Sequence, residues 1–290
     1  MKNFKKYLPY ILIGSILFIT FIVWYFVFIN NHNGKYLEVA FLDVGQGDSI
    51  YIEAPNGRQV LIDAGPDGKV LSSLSPLMPF ADRSIDIVIT THPDLDHIGG
   101  MAYVFDRYKV GIFIDNGVDS TSEAYKILEN KIKKEKSKEV IIKNKKRIIL
   151  DPDKNIYLDI LFPSEDVVGW KETNDGSIVA RLVYGDESFL LMGDATKYTE
   201  NIISWSENNE DLKSDVLKLG HHGSKTSTNE FWLEKVKPNI AIISAGKGNR
   251  YGHPDSEVTD LLNKLKIKYF ETSKEGNIIF KTDGVNLIQK

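Results

Sequence analysis

Cysteine is absent from the 290-residue chain. This absence excludes a disulfide framework, a thiolate metal site and a cysteine nucleophile, so no disulfide partner is expected. Any metal ion must therefore be held by His, Asp, Glu, Asn or backbone groups. With 42% hydrophobic and 26% charged residues, the composition is that of an ordinary globular protein, long enough for one large or two small domains.

Charged residues are absent from an apolar stretch near the N-terminus, residues 8–30. As a helix this stretch would span about 34 Å, enough to cross the hydrocarbon core of a membrane. Lys2, Lys5 and Lys6 precede it, so the positive-inside rule predicts a single-pass protein of the cell membrane with a cytoplasmic N-terminus. The predicted division is a basic tail, an anchor, a linker and an extracytoplasmic hydrolase domain: residues 1–7, 8–30, 31–36 and 37–290.

A cleaved signal peptide is the alternative reading of the same stretch. Its apolar core would normally measure ~7–15 residues and end in small residues at a cleavage site. The stretch here is longer and ends in Phe, Ile and Asn, which favours an uncleaved anchor.

A net positive charge is lacking beyond the anchor. Three of the 36 basic residues and none of the 40 acidic ones lie in residues 1–34, so the remainder has 33 basic and 40 acidic residues, a net charge of −7. A general polyanion-binding surface is not implied, and a phosphate ester would have to be attracted by metal ions and a local patch. The one dense basic run, residues 131–146, is predicted to be a solvated helix and turn in preference to a nucleic-acid groove.

Apolar, β-branched runs recur from residue 35 onward, separated by turn residues and helical patterns. Strand-like runs come in hairpins within each half of the chain, and helical patterns cluster later in each half. This order predicts an α/β fold in which two sheets pack face to face with helices outside.

The densest group of polar residues is THPDLDHIGG, residues 91–100, directly after the apolar run SIDIVIT. It places His92, Asp94, Asp96 and His97 within six residues at a strand end, where a loop can aim polar groups at one point. Two imidazoles and two carboxylates at this spacing can surround a pair of metal ions and suit Zn²⁺, Mn²⁺ or Fe. A polar loop with Asp96 as a helix cap is the alternative, but it accounts for one of the four residues.

Other polar residues end apolar runs in the same way. Aspartates do so in FLDVGQGD, QVLID and FLLMGD, and histidines follow strands in LGHHGS and YGHP. A single aspartate at a strand end is usually a turn or cap residue, but the recurrence in one chain indicates a shared site. The residues concerned are Asp43, Asp48, Asp63, Asp194, His221, His222 and His253.

Taken in order, these motifs resemble the metallo-β-lactamase fold and, within it, the metallohydrolase domain of the ComEC family of competence DNA-uptake proteins. The resemblance covers about residues 37–283. It implies an αββα sandwich, preceded here by one transmembrane helix, with a two-metal site at one edge. The chain has Asp94 and the segment NDGSIV where the common pattern of the fold has histidines, as the ComEC-like branch does. This oxygen-rich set makes Mn²⁺ a rival to Zn²⁺.

The resemblance also implies roles for individual residues. His92 and Asp94 would hold the first metal ion, Asp96 and His97 the second, and Asp194 would bridge the two. Three histidines that the sequence does not rank would complete the shell: His221, His222 and His253. Further candidates would orient ligands, line the site or meet substrate oxygens, with turn or surface roles as the alternative: Asp43, Asp48, Asp63, Asn174, Ser177, Lys218, Ser224 and Lys225.

Two divalent ions, zinc or manganese, would make a water nucleophilic near neutral pH, and Asp96 would orient that water or relay its proton. The predicted protein is a membrane-anchored, extracytoplasmic, metal-dependent hydrolase, a phosphodiesterase or nuclease acting on DNA in a competence-like context. The alternative is a phosphodiesterase of cell-envelope polymers or small phosphodiesters, similar to phosphorylcholine esterases, which the acidic charge favours. A catalytically inactive binding protein is disfavoured because His92, Asp96, His97 and Asp194 are all present.

Overall fold

The computed structural model describes residues 2–32 and 34–290. The predicted tail 1–7 and the predicted linker 31–36 each include one residue outside the described part, Met1 and Asn33. The first helix, α1 (Lys2–His32), contains the predicted anchor. Its most apolar part, Tyr7–Tyr25, has a mean hydropathy of 2.0 and none of it is buried in the rest of the protein. By length and composition α1 is therefore a candidate transmembrane segment.

The described residues beyond α1 form two β-sheets from 15 strands. In chain order the strands are β1 (Leu37–Phe41), β2 (Ile50–Glu53), β3 (Gln59–Ile62), β4 (Ser84–Ile89), β5 (Lys109–Asp115), β6 (Lys138–Ile141), β7 (Lys146–Asp151), β8 (Ile156–Phe162), β9 (Val179–Tyr184), β10 (Glu187–Leu191), β11 (Val216–Lys218), β12 (Ile240–Ile243), β13 (Lys268–Glu271), β14 (Ile278–Thr282) and β15 (Leu287–Gln289). The strand order is β15-β14-β1-β2-β3-β4-β5-β6 in the first sheet and β13-β12-β11-β10-β9-β8-β7 in the second.

Helices cover the outer face of each sheet. In chain order they are α2 (Lys69–Leu74), α3 (Leu95–Ile98), α4 (Met101–Arg107), α5 (Glu123–Glu135), α6 (Lys197–Ser206), α7 (Asn209–Leu212), α8 (Glu230–Val236), α9 (Ser256–Lys264) and α10 (Thr272–Glu275). Apolar side chains of α2, α4 and α5 pack on the first sheet, and those of α6, α8 and α9 pack on the second. The predicted αββα sandwich is thereby confirmed.

The core between the sheets follows from the period-2 alternation of each strand. In β1, Leu37, Val39 and Phe41 face the second sheet, whereas Ala40 faces the outer helices. Phe280 of the first sheet lies with its ring centroid 6.1 Å from Phe189 of the second, so aromatic contacts join the two sheets. Burying a side chain of this size contributes about 1.5–3 kcal/mol to stability. This apolar layer therefore holds the two sheets against each other.

Parallel pairing decides where the polar loops meet. Strands β3 to β6 pair in parallel in the first sheet, and β10 to β13 do so in the second. The carboxyl ends of parallel strands lie at the same edge of a sheet, and in both sheets that edge is on the same side of the sandwich. We call it the site edge: it carries the loops that follow β3, β4, β10, β11 and β12. The edge at which these strands begin is called the opposite edge.

Candidate metal centre

Two loops deliver most of the polar side chains to the site edge. The loop after β4 carries His92, and α3 then presents Asp96 and His97. Two glycines follow α3, and a Cβ atom on Gly99 or Gly100 would lie 2.1 or 2.0 Å from a backbone oxygen of the loop after β3. No side chain fits there, so the glycines allow the metal loop to pack directly against its neighbour.

The second loop follows β11 as a single 3-10 turn, Gly220–Gly223. Within it His221 has φ 46° and ψ 48°, and His222 has φ 55° and ψ 24°. Two consecutive non-glycine residues in the left-handed region are strained, and such strain persists only where the surrounding structure enforces it. The turn aims both imidazoles at Asp194, which follows β10.

The closest group of polar atoms is formed by Asp96, His97, His222 and Asp194. His97 Nε2 lies 3.3 Å from Asp194 Oδ1, and His222 Nε2 lies 3.3 Å from both Asp194 Oδ2 and Asp96 Oδ2. Ligands around a tetrahedral metal ion at ~2.0–2.1 Å are about 3.3–3.4 Å apart. These three separations match that spacing, and we call Asp96, His97, His222 and Asp194 the tight cluster.

A second group shares Asp194 on its other side. His92 Nε2 lies 3.8 Å from Asp94 Oδ2 and 3.9 Å from Asp194 Oδ2. His221 Nε2 also lies 3.9 Å from Asp194 Oδ2. These separations are wider than in the tight cluster, so the group would have to contract or take further ligands around a small cation. We call it the loose cluster.

The ring orientation of His92 leaves one nitrogen for a ligand. Its Nδ1 lies 3.0 Å from Thr91 Oγ1 and 3.3 Å from Ser177 Oγ. Thr91 Oγ1 donates its own proton to Asp63 Oδ2 at 2.7 Å, so it accepts from Nδ1–H of His92. The Nε2 atom then carries a lone pair, and it is buried with no hydrogen-bond partner.

His97 and His222 repeat this arrangement. His97 Nδ1 lies 2.8 Å from Asp63 Oδ2, and His222 Nδ1 donates to the carbonyl of Ser244 at 2.9 Å. Both Nε2 atoms are buried without a hydrogen-bond partner, as is Oδ1 of Asp194. Unpartnered buried polar atoms are costly, and a bound cation would satisfy all of them. A carboxylate or carbonyl behind each ligating imidazole is the usual arrangement at metal sites, so these residues fit a metal centre.

The electrostatics of the two clusters differ. Burial alone would lower the pKa of His97, but the carboxylates of Asp194 and Asp63 outweigh it and raise that pKa well above its ordinary value. The pKa of His222 is raised well above its ordinary value for the same reason, by Asp194 and Asp48 against burial. His92 differs, because burial and the charge of His97 lower its pKa to about 3. The negative field that favours positive charge at the tight cluster is one that also attracts a metal cation.

The family model described as the metallo-β-lactamase superfamily matches residues 42–247, which is most of the chain and includes the tight and loose clusters. The chain belongs to this superfamily. It is 34% identical over 264 residues to ComE operon protein 3 of Bacillus subtilis, covering 84% of this chain and 33% of that protein. It is 30% identical over 246 residues to Competence protein ComA of Neisseria gonorrhoeae, covering 83% of this chain and 32% of that protein.

These relatives confirm the resemblance to the ComEC family, and the chain spans about a third of their length. Among solved structures, the chain resembles the CmlA beta-hydroxylase E377D mutant with a TM-score of 0.54 and 11% identity, over 85% of this chain and 54% of that one. At that identity the likeness shows the fold alone. The molecule is thus a metallo-β-lactamase-type hydrolase related to competence proteins, with a candidate site for divalent metal ions.

Within this metallo-β-lactamase site, Asp48 lies behind the histidines. One carboxylate oxygen each of Asp48 and Asp194 and one ring nitrogen each of His97 and His222 can be chosen so that these ligand atoms all lie within 4.8 Å of one another. Asp48 Oδ1, however, lies 3.2 Å from Nδ1 of His222, on the far side of that ring from Asp194. We therefore infer that Asp48 acts on His222 through its charge, from behind the ring, and is not a ligand.

Lys218 lies deeper than the sequence suggested. It is fully buried at the end of β11, where its ammonium group forms an ion pair with Asp48 and donates to the carbonyl of Gly193 at 3.2 Å. Despite burial, the charges of Lys218 and His222 lower the pKa of Asp48, so its carboxylate stays ionised. This position corrects the expectation that Lys218 meets substrate oxygens, because its charge is neutralised inside the protein.

The remaining candidates surround the two clusters. Asp43 is a turn residue, accepting from the backbone of Gly45 at 3.0 Å and from Lys69 at 2.7 Å. Ser177 accepts from the backbone of Asp194 at 3.2 Å, and Asn174 lies 3.4 Å from His221 Nε2. Ser224 is buried and Lys225 is exposed, so of these two only the lysine can reach solvent-borne substrate.

His253 stands at the rim of the site. Its ring centroid lies 5.5 Å from that of His221 and 6.3 Å from that of His222, and its Nδ1 is buried without a partner. The structure therefore orders the three histidines that the sequence left unranked: His222 belongs to the tight cluster, His221 to the loose cluster, and His253 lies beside both.

Three residues of the site were missed by the sequence analysis. Thr173 donates to Asp94 Oδ1 at 2.8 Å and fixes that carboxylate. Tyr251 stacks on the ring of His253 with centroids 5.8 Å apart, and the guanidinium of Arg250 lies 4.8 Å from the centroid of Tyr251. Tyr251 and Arg250 lie within three residues of His253 in the chain. That proximity was the one feature of the sequence that could have marked them as site residues.

Proposed function

We propose that this protein is a membrane-anchored phosphodiesterase that uses two divalent metal ions and acts on DNA outside the cytoplasm. The observation that carries the proposal is a set of exposed cations on the loops that deliver the histidines. Lys225 follows His221 and His222 in one loop, and Lys247 and Arg250 precede His253 in another. Phosphodiester groups are anions, so cations at the mouth of an otherwise acidic site favour such a substrate over a neutral one.

Residue roles follow from the geometry. Asp96, His97 and His222 would hold one cation, His92 and Asp94 with His221 the other, and Asp194 would lie between them. When bound, such ions supply Lewis-acid polarisation and a nucleophile at neutral pH. The donor set of imidazole and carboxylate fits zinc or manganese.

Asp96 is placed to handle the proton of the attacking water. It is the tight-cluster carboxylate most open to solvent, with a side chain 29% exposed against 4% for Asp194. Although burial opposes ionisation, contact with His222 and the charge of His97 lower the pKa of Asp96 below its ordinary value. A carboxylate that stays ionised can orient a water through one of its oxygens.

Arg250 is held in position for a phosphoryl oxygen. Its Nη2 donates to the hydroxyl of Tyr251 at 2.6 Å, and Tyr251 stacks on His253. The hydrogen bond to Tyr251 and, to a smaller extent, the charge of Asp96 raise the pKa of Arg250. An arginine fixed by an aromatic ring loses less side-chain entropy when it binds an anion. Arg250 is therefore well suited to bind a phosphate group of the substrate.

The basic run 131–146 does not line this site. Four of its lysines pair with acidic residues: Lys131 with Asp106, Lys133 with Glu129, Lys143 with Asp166 and Lys145 with Glu207. The hydroxyl of Ser137 donates to the carbonyl of Val110, near the start of β5, so the end of α5 lies at the opposite edge. This placement supports the reading of the run as a solvated surface.

The relatives supply the DNA context. Their names include Competence protein ComA of Neisseria gonorrhoeae and Recombination protein 2 of Haemophilus influenzae, to which the chain is 30% identical. A phosphodiesterase of envelope polymers is the second candidate. It is favoured by the net charge of −7 outside the first 34 residues, because a long polyanion such as DNA is repelled by such a surface away from the rim.

The anchor completes the proposal. Lys2, Lys5 and Lys6 precede the apolar part of α1, so the N-terminus is proposed to be cytoplasmic and residues 37–290 extracytoplasmic. Protease added to intact cells should then remove residues 37–290 and leave cytoplasmic markers whole. A domain that stays protected until lysis would contradict this topology.

The test of the substrate compares two matched sets of charge reversals in the full chain. One set, called the rim set, changes Lys225, Lys247 and Arg250 to Glu. The control set changes Lys133, Lys134 and Lys138 to Glu. Hydrolysis of linear DNA and of bis-p-nitrophenyl phosphate is measured with Mn²⁺, with Zn²⁺ and with EDTA.

If DNA is the substrate, the rim set should lower DNA cleavage by about tenfold or more and flatten its salt dependence. The small ester needs only the metal ions, so its turnover should change little, and the control set should act like the unmodified protein. EDTA should stop both reactions. Turnover of the small ester with no DNA cleavage would replace the nuclease with the envelope phosphodiesterase.

A further inference from the structure

The opposite edge of the sandwich contains the point at which the chain leaves α1. Gly34 follows His32, the last residue of α1, by two positions. Its carbonyl accepts from Nζ of Lys154 at 3.3 Å, and a Cβ atom on Gly34 would touch the backbone of Pro55 at 3.4 Å. The chain is therefore attached to the opposite edge from Gly34 onward.

The short connection limits how far this edge can stand from a membrane. Two residues of extended chain span at most about 7 Å. The headgroup layer on each side of the hydrocarbon core is itself about 5–7 Å thick. If α1 spans a bilayer up to its carboxyl end, the opposite edge must lie at or within the headgroup layer.

Apolar side chains are exposed at this edge. Phe80, in the loop before β4, is 93% exposed, and Val285, in the turn before β15, is 68% exposed. The residues that precede Phe80 in its loop, 77–79, line a hollow together with residues 34–36, the first described residues after α1. Val285 and Ile288 line an adjoining hollow with Tyr36.

Two ion pairs lie near these side chains. Lys35 lies 3.7 Å from Asp283 and Lys281 lies 2.5 Å from Glu38, whereas Asp82 accepts from the neutral amide of Gln59 at 2.8 Å. Arg83 lies with its guanidinium 5.9 Å from the ring centroid of Phe80. An aromatic side chain beside a cation is typical of the membrane interface, and paired charges raise no strong barrier to a neutral lipid surface.

We propose that the opposite edge rests on the bilayer, with Phe80 and Val285 in contact with lipid headgroups, so that the metal centre opens away from the membrane. Strand β1 alone has five residues and is about 17 Å long, which raises the site edge on the order of 20 Å above the lipid. A substrate must then reach the site from the side away from the membrane, and phospholipid headgroups of the same bilayer are excluded. This inference rests on the anchoring that is part of the proposed function.

The absence of cysteine makes a direct test possible, because any introduced thiol is unique. The variants are Phe80→Cys and Val285→Cys, with Tyr103→Cys as the control. Tyr103 is 49% exposed on α4 and packs near Gly68, on the side of the site edge. Each full-length variant is reconstituted into phosphatidylcholine vesicles and treated with a bulky maleimide that does not enter lipid.

The labelling rate of the Phe80→Cys and Val285→Cys variants should be at least about tenfold lower than that of Tyr103→Cys in vesicles. The difference should disappear after solubilisation in sodium dodecyl sulfate, which removes both fold and lipid contact. Vesicle flotation is measured in parallel to report on anchoring itself. Chains that float but label equally at all three positions overturn the inference and leave the anchor and the hydrolase standing, whereas chains that do not float overturn the anchor and the inference together.

Discussion

The two edges of the sandwich are built in opposite ways. At the site edge, the Nε2 atoms of His92, His97 and His222 are buried without hydrogen-bond partners, and the backbone of two histidines is left-handed. At the opposite edge, Asn56 and Arg58 donate to backbone carbonyls at 2.9 Å, and Gln59 donates to Asp82. These polar groups of the opposite edge have hydrogen-bond partners within the protein, whereas the three Nε2 atoms of the site edge need a ligand.

The comparison also explains why Lys218 is buried. The site edge concentrates carboxylates, and the Lys218 ammonium neutralises Asp48 beside them. Without that internal cation, the negative field at His222 would be stronger and the folded state would carry more self-repulsion. At the opposite edge, by contrast, Asp283 and Glu38 pair with lysines that are at least partly exposed to solvent.

The largest expected effect is at the site edge, in the change Asp96→Asn. It removes a ligand charge and the partner of the attacking water together, so hydrolysis should fall by about 10³-fold or more. The matched control is Asp86→Asn in β4, whose carboxylate accepts from the backbone of Gln59 near the opposite edge at 2.9 Å. Its turnover should equal that of the unmodified protein. A loss of less than tenfold in Asp96→Asn, with circular dichroism unchanged in both variants, would show that Asp96 does not have the assigned role.

A smaller effect is expected behind the ligands. Asp63 accepts from the backbone and hydroxyl of Thr91 and lies 2.8 Å from His97 Nδ1. The change Asp63→Asn should weaken metal binding by about 10–100-fold, because His97 loses the carboxylate that orients it. Asp43→Asn alters a turn aspartate of the same edge and should leave the affinity unchanged. Isothermal titration with Mn²⁺ measures both, and equal affinities in the two variants would contradict the role of Asp63.

The smallest effect concerns pH and stability. Glu200 is fully buried in α6, where it accepts from the backbone of Thr228 at 2.5 Å and braces the loop after His222. Burial raises the pKa of Glu200 from 4.5 to about 7. The folded state therefore binds this proton more tightly than the unfolded chain, and the free energy of unfolding should fall as pH rises from about 4.5 to 7. Local relaxation should keep the loss on the order of 1 kcal/mol.

In Glu200→Gln this part of the decline should be missing. For Asp82, at the opposite edge, the contribution to the free energy of unfolding should change with pH in the opposite direction. Burial opposes its ionisation, but hydrogen bonds from Ser84 and Gln59 lower the pKa of Asp82, so its contribution is present above the unfolded pKa and is lost as pH falls. Urea unfolding of the unmodified protein, Glu200→Gln and Asp82→Asn between pH 3 and 8 separates the two. Parallel curves for all three proteins would contradict the account.

The fold and the grouping of the site residues could be predicted because they depend on local signals. Period-2 apolar runs identified the strands, and aspartates and histidines at their ends identified the site edge, since parallel strands end together. The pattern of four polar residues in 91–100 needed no distant partner to be recognised.

The rest depends on long-range packing that a sequence does not display. The order among His221, His222 and His253 is set by left-handed backbone at the first two and by the stack on Tyr251 at the third. Lys218 was expected at a surface, as lysines usually are, but its ion-pair partner lies 170 residues away in the chain. The position of the basic run relative to the site follows from sheet order, and helix periodicity contains no information about that order.

The central claim is that the site edge binds two divalent ions through the Nε2 atoms of three histidines. The most direct measurement is a crystal structure of the protein grown with Mn²⁺ or Zn²⁺, with anomalous scattering recorded at the metal edge. The account predicts two peaks about 3.5–4 Å apart, one contacting His97, His222 and Asp96, the other contacting His92, and both contacting Asp194. Anomalous density that is absent from this edge, or that lies away from the three Nε2 atoms, would contradict it.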